Sequence, residues 1–303
     1  MNREELIDRI TKEVIRVLSE TDDVSSMGDA SPRPNYARPN TEANKETSTR
    51  WKTPDLTEAE YKDTIQIDAP ENPLALRAME RATTARVGIG RAGERLSTKA
   101  QLSLRADHAM AKDAVLKEVD ENLLKELDLP VVQSKAQEIN EHLTRPDLGR
   151  QLSAEAVDFI KANCKKQPQI QIYVSDGLSN AAVENNIGDL LPILMDGLKD
   201  AGISVGTPIF VKYGRVPTGD AVCEAVGAEM VCVLLGERPG LAASDSMSAY
   251  ITYGAYVGIP ESKRTVVSNI HKNGIQPVEA GAYLVDLLQT ILKEKKSGVD
   301  LQL

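Results

Sequence analysis

The sequence predicts an α/β protein. A mostly parallel, Rossmann-like sheet flanked by helices is preceded by a helical region and, before that, by a disordered linker carrying an amphipathic leader helix. Three observations carry this reading. After Gln167, short apolar runs alternate with longer helical periodicities, and strands that alternate with helices pair in parallel beneath helical layers. From Leu74 to Asn163 the texture is helical, with no alternating strand pattern. Residues 21–73 are rich in Ser, Asp, Asn, Thr and Pro and hold too little apolar surface to fold alone.

The elements follow in order. Leu6, Ile7, Ile10, Val14, Val17 and Leu18 recur at three- and four-residue steps, which predicts an amphipathic helix over residues 1–20. Charges interrupt it throughout, so it is not a secretory signal. A short helix needs a partner for its apolar face, and one tethered by a linker over 21–73 reads as an address or docking peptide. Within residues 74–163, helices are expected around Leu74–Ala85, over Gln101–Asp128 and from Ser153 to Asn163, with Pro130 and Pro146 breaking the pattern.

Residues 164–303 form the predicted α/β domain. Ile170–Val174 is a strand ending in Ser175-Asp176-Gly177, and the helix after it carries Leu190, Leu191, Leu194 and Leu198 and closes at Gly202. Ile209–Val211 is a second strand, followed by Tyr213-Gly214-Arg215-Val216 and a short helix over Asp220–Val226. Met230–Leu235 is a buried strand running into Gly236-Glu237-Arg238-Pro239-Gly240. Ala249–Tyr253 and Thr265–Val267 are further strands, and a last helix carries Ala280, Leu284, Leu287, Leu288 and Leu292.

Composition narrows the function. Among 303 residues, 45 acidic side chains outnumber 36 basic ones, and the net charge of -9 argues against a nucleic-acid partner. The longest purely apolar run, Met230–Leu235, is far too short to cross a membrane. Three cysteines at no metal-ligand spacing fit thiols buried in a reducing cytoplasm, and three histidines leave little for a multi-histidine metal site. No nucleophile and base stand together. Ser244-Asp245-Ser246 has no histidine placed beside it, so no catalytic residue and no metal site are expected in this chain.

Ligands of open α/β sheets bind beyond the carboxyl ends of the strands. Ser175-Asp176-Gly177, Gly214-Arg215-Val216, Gly236-Glu237-Arg238 and Ser268-Asn269 fall there. Turn and capping chemistry accounts for any one of them, whereas four together point to a ligand site. Two motif matches do not hold. Gly88-Ile89-Gly90-Arg91-Ala92-Gly93 spells the dinucleotide fingerprint but follows a helix, not the strand that the fingerprint requires. Asn269-Ile270-His271-Lys272-Asn273-Gly274 approximates a cobalt-ligating histidine motif without its carboxylate, which leaves His271 as a hydrogen-bonding loop residue.

The stretches 85–93, Lys112–Val119, Leu143-Thr144-Arg145-Pro146-Asp147-Leu148-Gly149-Arg150 and Val174–Ser179 run in order with Tyr213–Val216, Gly236–Gly240 and Ser268–His271. Together, from about residue 70 to the C-terminus, they make the chain resemble the small subunit of ethanolamine ammonia-lyase, an adenosylcobalamin-dependent enzyme. The resemblance implies a division of labour. A separate large subunit with a TIM barrel would hold ethanolamine and the radical chemistry, while the small subunit covers the cobalamin and completes its pocket. The cofactor keeps its own benzimidazole as lower ligand, in agreement with the degraded histidine motif. By position, the resemblance implies cobalamin contacts at Val216, Glu237 and Val266. The last stands where the family carries a cysteine, a place where a backbone contact can persist. Residues 1–20 resemble the family's cargo signal, which implies a cytoplasmic enzyme housed in a bacterial ethanolamine-utilisation microcompartment and docked to its shell or cargo. Two rival readings are a nucleotide-dependent α/β oxidoreductase using the Gly88, Gly90 and Gly93 loop, and a non-enzymatic microcompartment adaptor.

Overall fold

A six-stranded sheet with helices on both faces organises the protein in a computed structural model that describes residues 65–302. The expected leader helix over 1–20, and the linker as far as residue 64, lie outside the described residues.

Helix α1 (Pro73–Arg81) starts at a strong boundary: Asn72 accepts a hydrogen bond from Ala75 N and Pro73 occupies the first helical position. It ends before the expected Ala85, where the Thr83 hydroxyl instead accepts from Ala85 N in a local turn. A two-residue hairpin, β1 (Arg91–Ala92) with β2 (Arg95–Leu96), follows. The stretch expected as one helix over Gln101–Asp128 is two. Helix α2 (Thr98–Leu116), capped by Ser97, stops where Lys117 turns extended, and Asp120 caps α3 (Glu121–Glu126) by accepting from Asn122 N.

Strand β3 (Val131–Gln133) corrects the expectation of an all-helical region, because this short edge strand joins the main sheet. Helices α4 (Ile139–Thr144), α5 (Pro146–Gly149) and α6 (Ala154–Asn163) follow, the last capped by Ser153. The α/β alternation then runs β4 (Ile170–Ser175), α7 (Asn180–Asp200), β5 (Ile209–Lys212), α8 (Thr218–Val226) and β6 (Met230–Gly236). Strands β7 (Met247–Tyr253) and β8 (Thr265–Ile270) and helix α9 (Pro277–Glu294) complete it.

The sheet order is β3-β5-β4-β6-β7-β8. The first four strands are parallel, but β7 and β8 pair antiparallel, so the expected mostly parallel sheet is a mixed one. The reason is connection. No crossover helix lies between β6 and β7 or between β7 and β8, and a short return without a crossover reverses the strand. Helices α7 and α9 pack on one face over Ile172, Val174, Cys232 and Leu234. Helices α6 and α8 pack on the other over Tyr173, Val211, Val231 and Val233. Strands β5 and β6 flank β4 on opposite sides, so the chain reverses its progress across the sheet at β4, the kind of place where α/β ligands bind.

Gly88 and Gly90 lead into the small hairpin, and Gly93 sits in its turn at φ +63°. Gly90 packs so closely that a β-carbon there would lie 2.9 Å from Gln66 O. Among the described residues no parallel strand precedes it, so the glycines shape a turn and a close backbone contact rather than a nucleotide loop.

Candidate functional site

The loops after β4, β5 and β6 are built into one another at the carboxyl edge of the sheet. Gly177 takes φ +54°, and a β-carbon on it would lie 2.8 Å from Leu235 Cγ, so only glycine lets the β4 loop seat against the end of β6. Asp176 locks the β5 loop: its carboxylate accepts from Tyr213 N at 2.8 and 3.0 Å and from Gly177 N at 2.9 Å. Tyr213 itself sits at φ +58°, a left-handed conformation that these bonds hold in place. Burial pushes the Asp176 carboxyl up to about 6, against the backbone N–H donors that pull it down.

The helical region reaches into the same knot. His142, fully buried on α4, has its Nε2 2.6 Å from Gly177 O and its ring stacked on Tyr213 with centroids 5.6 Å apart. Burial holds its pKa below the ordinary imidazole value, so the neutral ring donates from Nε2. Arg215 Nη2 donates to His142 O at 2.8 Å, and Thr218 Oγ1 donates to Gly149 O at 2.6 Å.

The three residues expected to touch cofactor lie on this edge and on the α8 face of the sheet. Val216 sits between β5 and α8, half-buried against the core beneath α8. Glu237 follows β6 and is half-buried. Tyr250 O–H donates to Glu237 Oε1 at 2.6 Å, and Oε2 has no partner among the described residues. Val266 pairs with Tyr250 across β8 and β7 and is 45% exposed. It therefore lies on the sheet face, not in a strand-end loop. Ser268 and Asn269, expected beyond a strand, lie inside β8, where Ser268 Oγ meets Ser248 Oγ at 3.1 Å.

Tyr250 and His142 were missed as site residues. The first carried a signal: Ser248, Tyr250 and Thr252 alternate with Met247, Ala249 and Ile251, the pattern of a strand with one polar face. His271 behaves as a hydrogen-bonding residue just past β8, its Nε2 2.8 Å from Oδ1 of Asn269 at the end of that strand. Asp245 is bound by Asn185 and Asn186, which makes 244–246 an anchored loop. A cavity of about 400 Å³ opens at the β3 edge, lined by Val131, Gln133, Ala156 and Phe159, and does not include Val216, Glu237 or Val266. Among the described residues no helix is long and apolar enough to cross a membrane.

This fold and site define an α/β protein whose strand-end loops are locked together at the carboxyl edge of a mixed sheet. A family model described as ethanolamine ammonia-lyase light chain (EutC) matches residues 74–302. The small subunit of that enzyme from Clostridium tetani is 51% identical over 250 residues, covering 82% of this chain and 85% of the relative. The Fusobacterium nucleatum small subunit is 50% identical over 249 residues, covering 82% and 84%. That of Listeria monocytogenes is 48% identical over 249 residues, covering 82% and 85%. The chain belongs to the ethanolamine ammonia-lyase small-subunit family. It is a subunit of a heteromeric carbon–nitrogen lyase of ethanolamine degradation, and a small subunit implies a large-subunit partner.

Proposed function

We propose that this chain supplies one wall of an adenosylcobalamin site whose other wall, with the ethanolamine-deaminating chemistry that yields acetaldehyde and ammonia, belongs to the large subunit. The observation that carries the reading is the Glu237 carboxylate, held through one oxygen by Tyr250 with the other oxygen left to accept. A corrin is a broad apolar ring rimmed with amides, and amide N–H groups need acceptors. Val266 adds an exposed β-branched surface beside Tyr250, and Val216 adds a half-buried one at the start of α8. These residues fit that group.

Bound adenosylcobalamin supplies a cobalt–carbon bond that breaks homolytically. This chain's part is to orient and to exclude water. Glu237 fixes the rim through its free oxygen, Val216 and Val266 cover apolar edge, and the bonds from Asp176 keep the Val216 loop rigid. The nucleotide-oxidoreductase reading loses its structural support, since Gly93 lies in a hairpin turn and Gly88 and Gly90 lead into that hairpin rather than out of a parallel strand. Residues 1–20 are read as the address that docks the complex to the shell or cargo of a microcompartment, on their amphipathic pattern alone. The test is co-purification of the two subunits with adenosylcobalamin. A corrinoid absorbance spectrum that travels with the complex and not with this chain alone supports the reading. A colourless complex that turns over ethanolamine contradicts it.

A further inference from the structure

Helix α1 carries its apolar face outward. Leu74, Ala75, Ala78, Met79 and Ala82 recur at three- and four-residue steps, which sets them on one side of the helix. Leu74 is 82% exposed and Met79 58%, and no residue of α1 is buried. Leu76 faces the other way and lies with Ile65 against Gly88, where a β-carbon would sit 3.5 Å from both side chains. The surrounding segment is held by hydrogen bonds rather than by a core. Gln66 N donates to Gly88 O and Ser97 N to Gly90 O, each at 2.8 Å, and Arg86 ties the segment to Asp107 and Ser103 on α2. Across residues 65–99 only Gly90 is buried. A helix of nine residues is marginal without packing, so an arm built this way is completed by an apolar surface from elsewhere.

The flank of that face is basic. Arg77 and Arg81, one turn apart, border Leu74 and Ala78 and are exposed. Among the described residues neither forms an ion pair. From Arg77 to Lys99 six basic side chains stand against two acidic ones, Glu80 and Glu94, in a chain of net charge -9. Antiparallel pairing of α1 with α1 of a second copy would set the arginine flank against its own image, so like charges would meet. The complement is an apolar groove edged by carboxylates. We propose that the large subunit supplies that groove, with Leu74 and Met79 of α1 as anchors and Arg77 and Arg81 against carboxylates on its edge. The chain is one subunit of a heteromer, so a partner surface exists for α1 to meet. The assignment stands whether or not a corrinoid binds.

The test uses the full chain co-expressed with the large subunit and follows dissociation of the complex on dilution by sedimentation velocity. Leu74→Asp and Met79→Asp should each weaken assembly about ten- to a hundred-fold. Arg77→Ser with Arg81→Ser should weaken it too and flatten its dependence on salt, whereas Arg77→Lys with Arg81→Lys should keep most of both. Because Leu74 and Met79 are exposed, the variant chains on their own should sediment, and unfold in urea, as wild type does. Wild-type assembly in both Asp variants overturns the proposal, and so does an unchanged salt dependence in the serine pair. A changed size or urea stability of the chain on its own also overturns it, since a second copy or residues 1–64 of this chain would then cover the face.

Discussion

Tyr250 and Glu237 are joined side chain to side chain at 2.6 Å, from the middle of β7 to the end of β6. The bond fixes a carboxylate that would otherwise sample several rotamers at a loop start, so less order has to be imposed on it when a ligand binds. Burial, and then the bond to Glu237 and its charge, hold the Tyr250 hydroxyl well above its ordinary pKa, so the phenol stays a donor at any physiological pH. Tyr250→Phe should leave the fold intact and weaken corrinoid binding to the assembled complex by roughly 0.5–1.5 kcal/mol, or about two- to tenfold. Spectral titration checks this. Unchanged affinity would mean that Tyr250 does not position Glu237.

A second prediction concerns stability. Asp220 on α8 and Arg264 before β8 form a bidentate pair, 2.8 Å on each arm, with side chains 1% and 3% exposed. Arg264 Nε also reaches Glu261 at 2.6 Å. Breaking a buried pair leaves one charge without compensation, so Arg264→Met or Asp220→Ala should each cost about 3–5 kcal/mol. Urea unfolding measures it. A loss under about 1 kcal/mol for both would show that water reaches the pair.

The third prediction is a pH signature of the knot. Asp176 is raised in the fold to about 6. Its stabilising contribution is therefore complete below the unfolded carboxyl value of about 3.9 and is lost as pH rises through about 6. His142 is depressed, so its contribution is complete above about 6.5 and is lost as pH falls through its folded value. The two slopes oppose. The stability difference between wild type and Asp176→Asn should grow in favour of wild type as pH falls from 7 to 4, and that between wild type and His142→Gln should shrink. Urea unfolding across that range decides, and equal slopes for both differences would contradict the assignments.

A fourth prediction separates the glycines. Gly177→Ala puts a β-carbon into Gly236 O and Leu235 at a left-handed φ, and should cost about 3 kcal/mol or more. Gly93→Ala meets nothing within 4 Å and pays only for its φ, about 1–2 kcal/mol. Corrinoid affinity should be untouched by Gly93→Ala. A large effect there would revive a ligand role for the glycine-rich stretch.

How legible the molecule was depends on what each element carries locally. Strands β4 and β6 announce themselves because both of their faces are buried, which leaves a β-rich run interrupted only by Gln171 in β4 and a continuous apolar run in β6. Strand β3 carries no such mark. Val131-Val132-Gln133 is a three-residue edge strand behind Pro130, with Val131 exposed, and its pairing with β5 is a tertiary fact. Strand direction is equally silent, so the antiparallel turn of β7 and β8 was not visible in composition. Val216 and Glu237 could be placed because they follow recognisable strands. The bond from Tyr250 to Glu237 could not, since it depends on a cross-strand register that no local pattern encodes. His142 was hidden for the same reason, its role resting on α4 docking against Gly177 and Tyr213.

The central claim is that Glu237 helps to hold a corrinoid between this chain and its large-subunit partner. Its most direct test is titration of cyanocobalamin into the reconstituted complex, wild type against Glu237→Ala and Glu237→Gln, with assembly checked by size. Glu237→Ala should weaken binding by about 1.5–3 kcal/mol, roughly ten- to a hundred-fold, and Glu237→Gln, which keeps an acceptor, by less. Wild-type affinity in both variants, with the complex still assembled, would contradict the account.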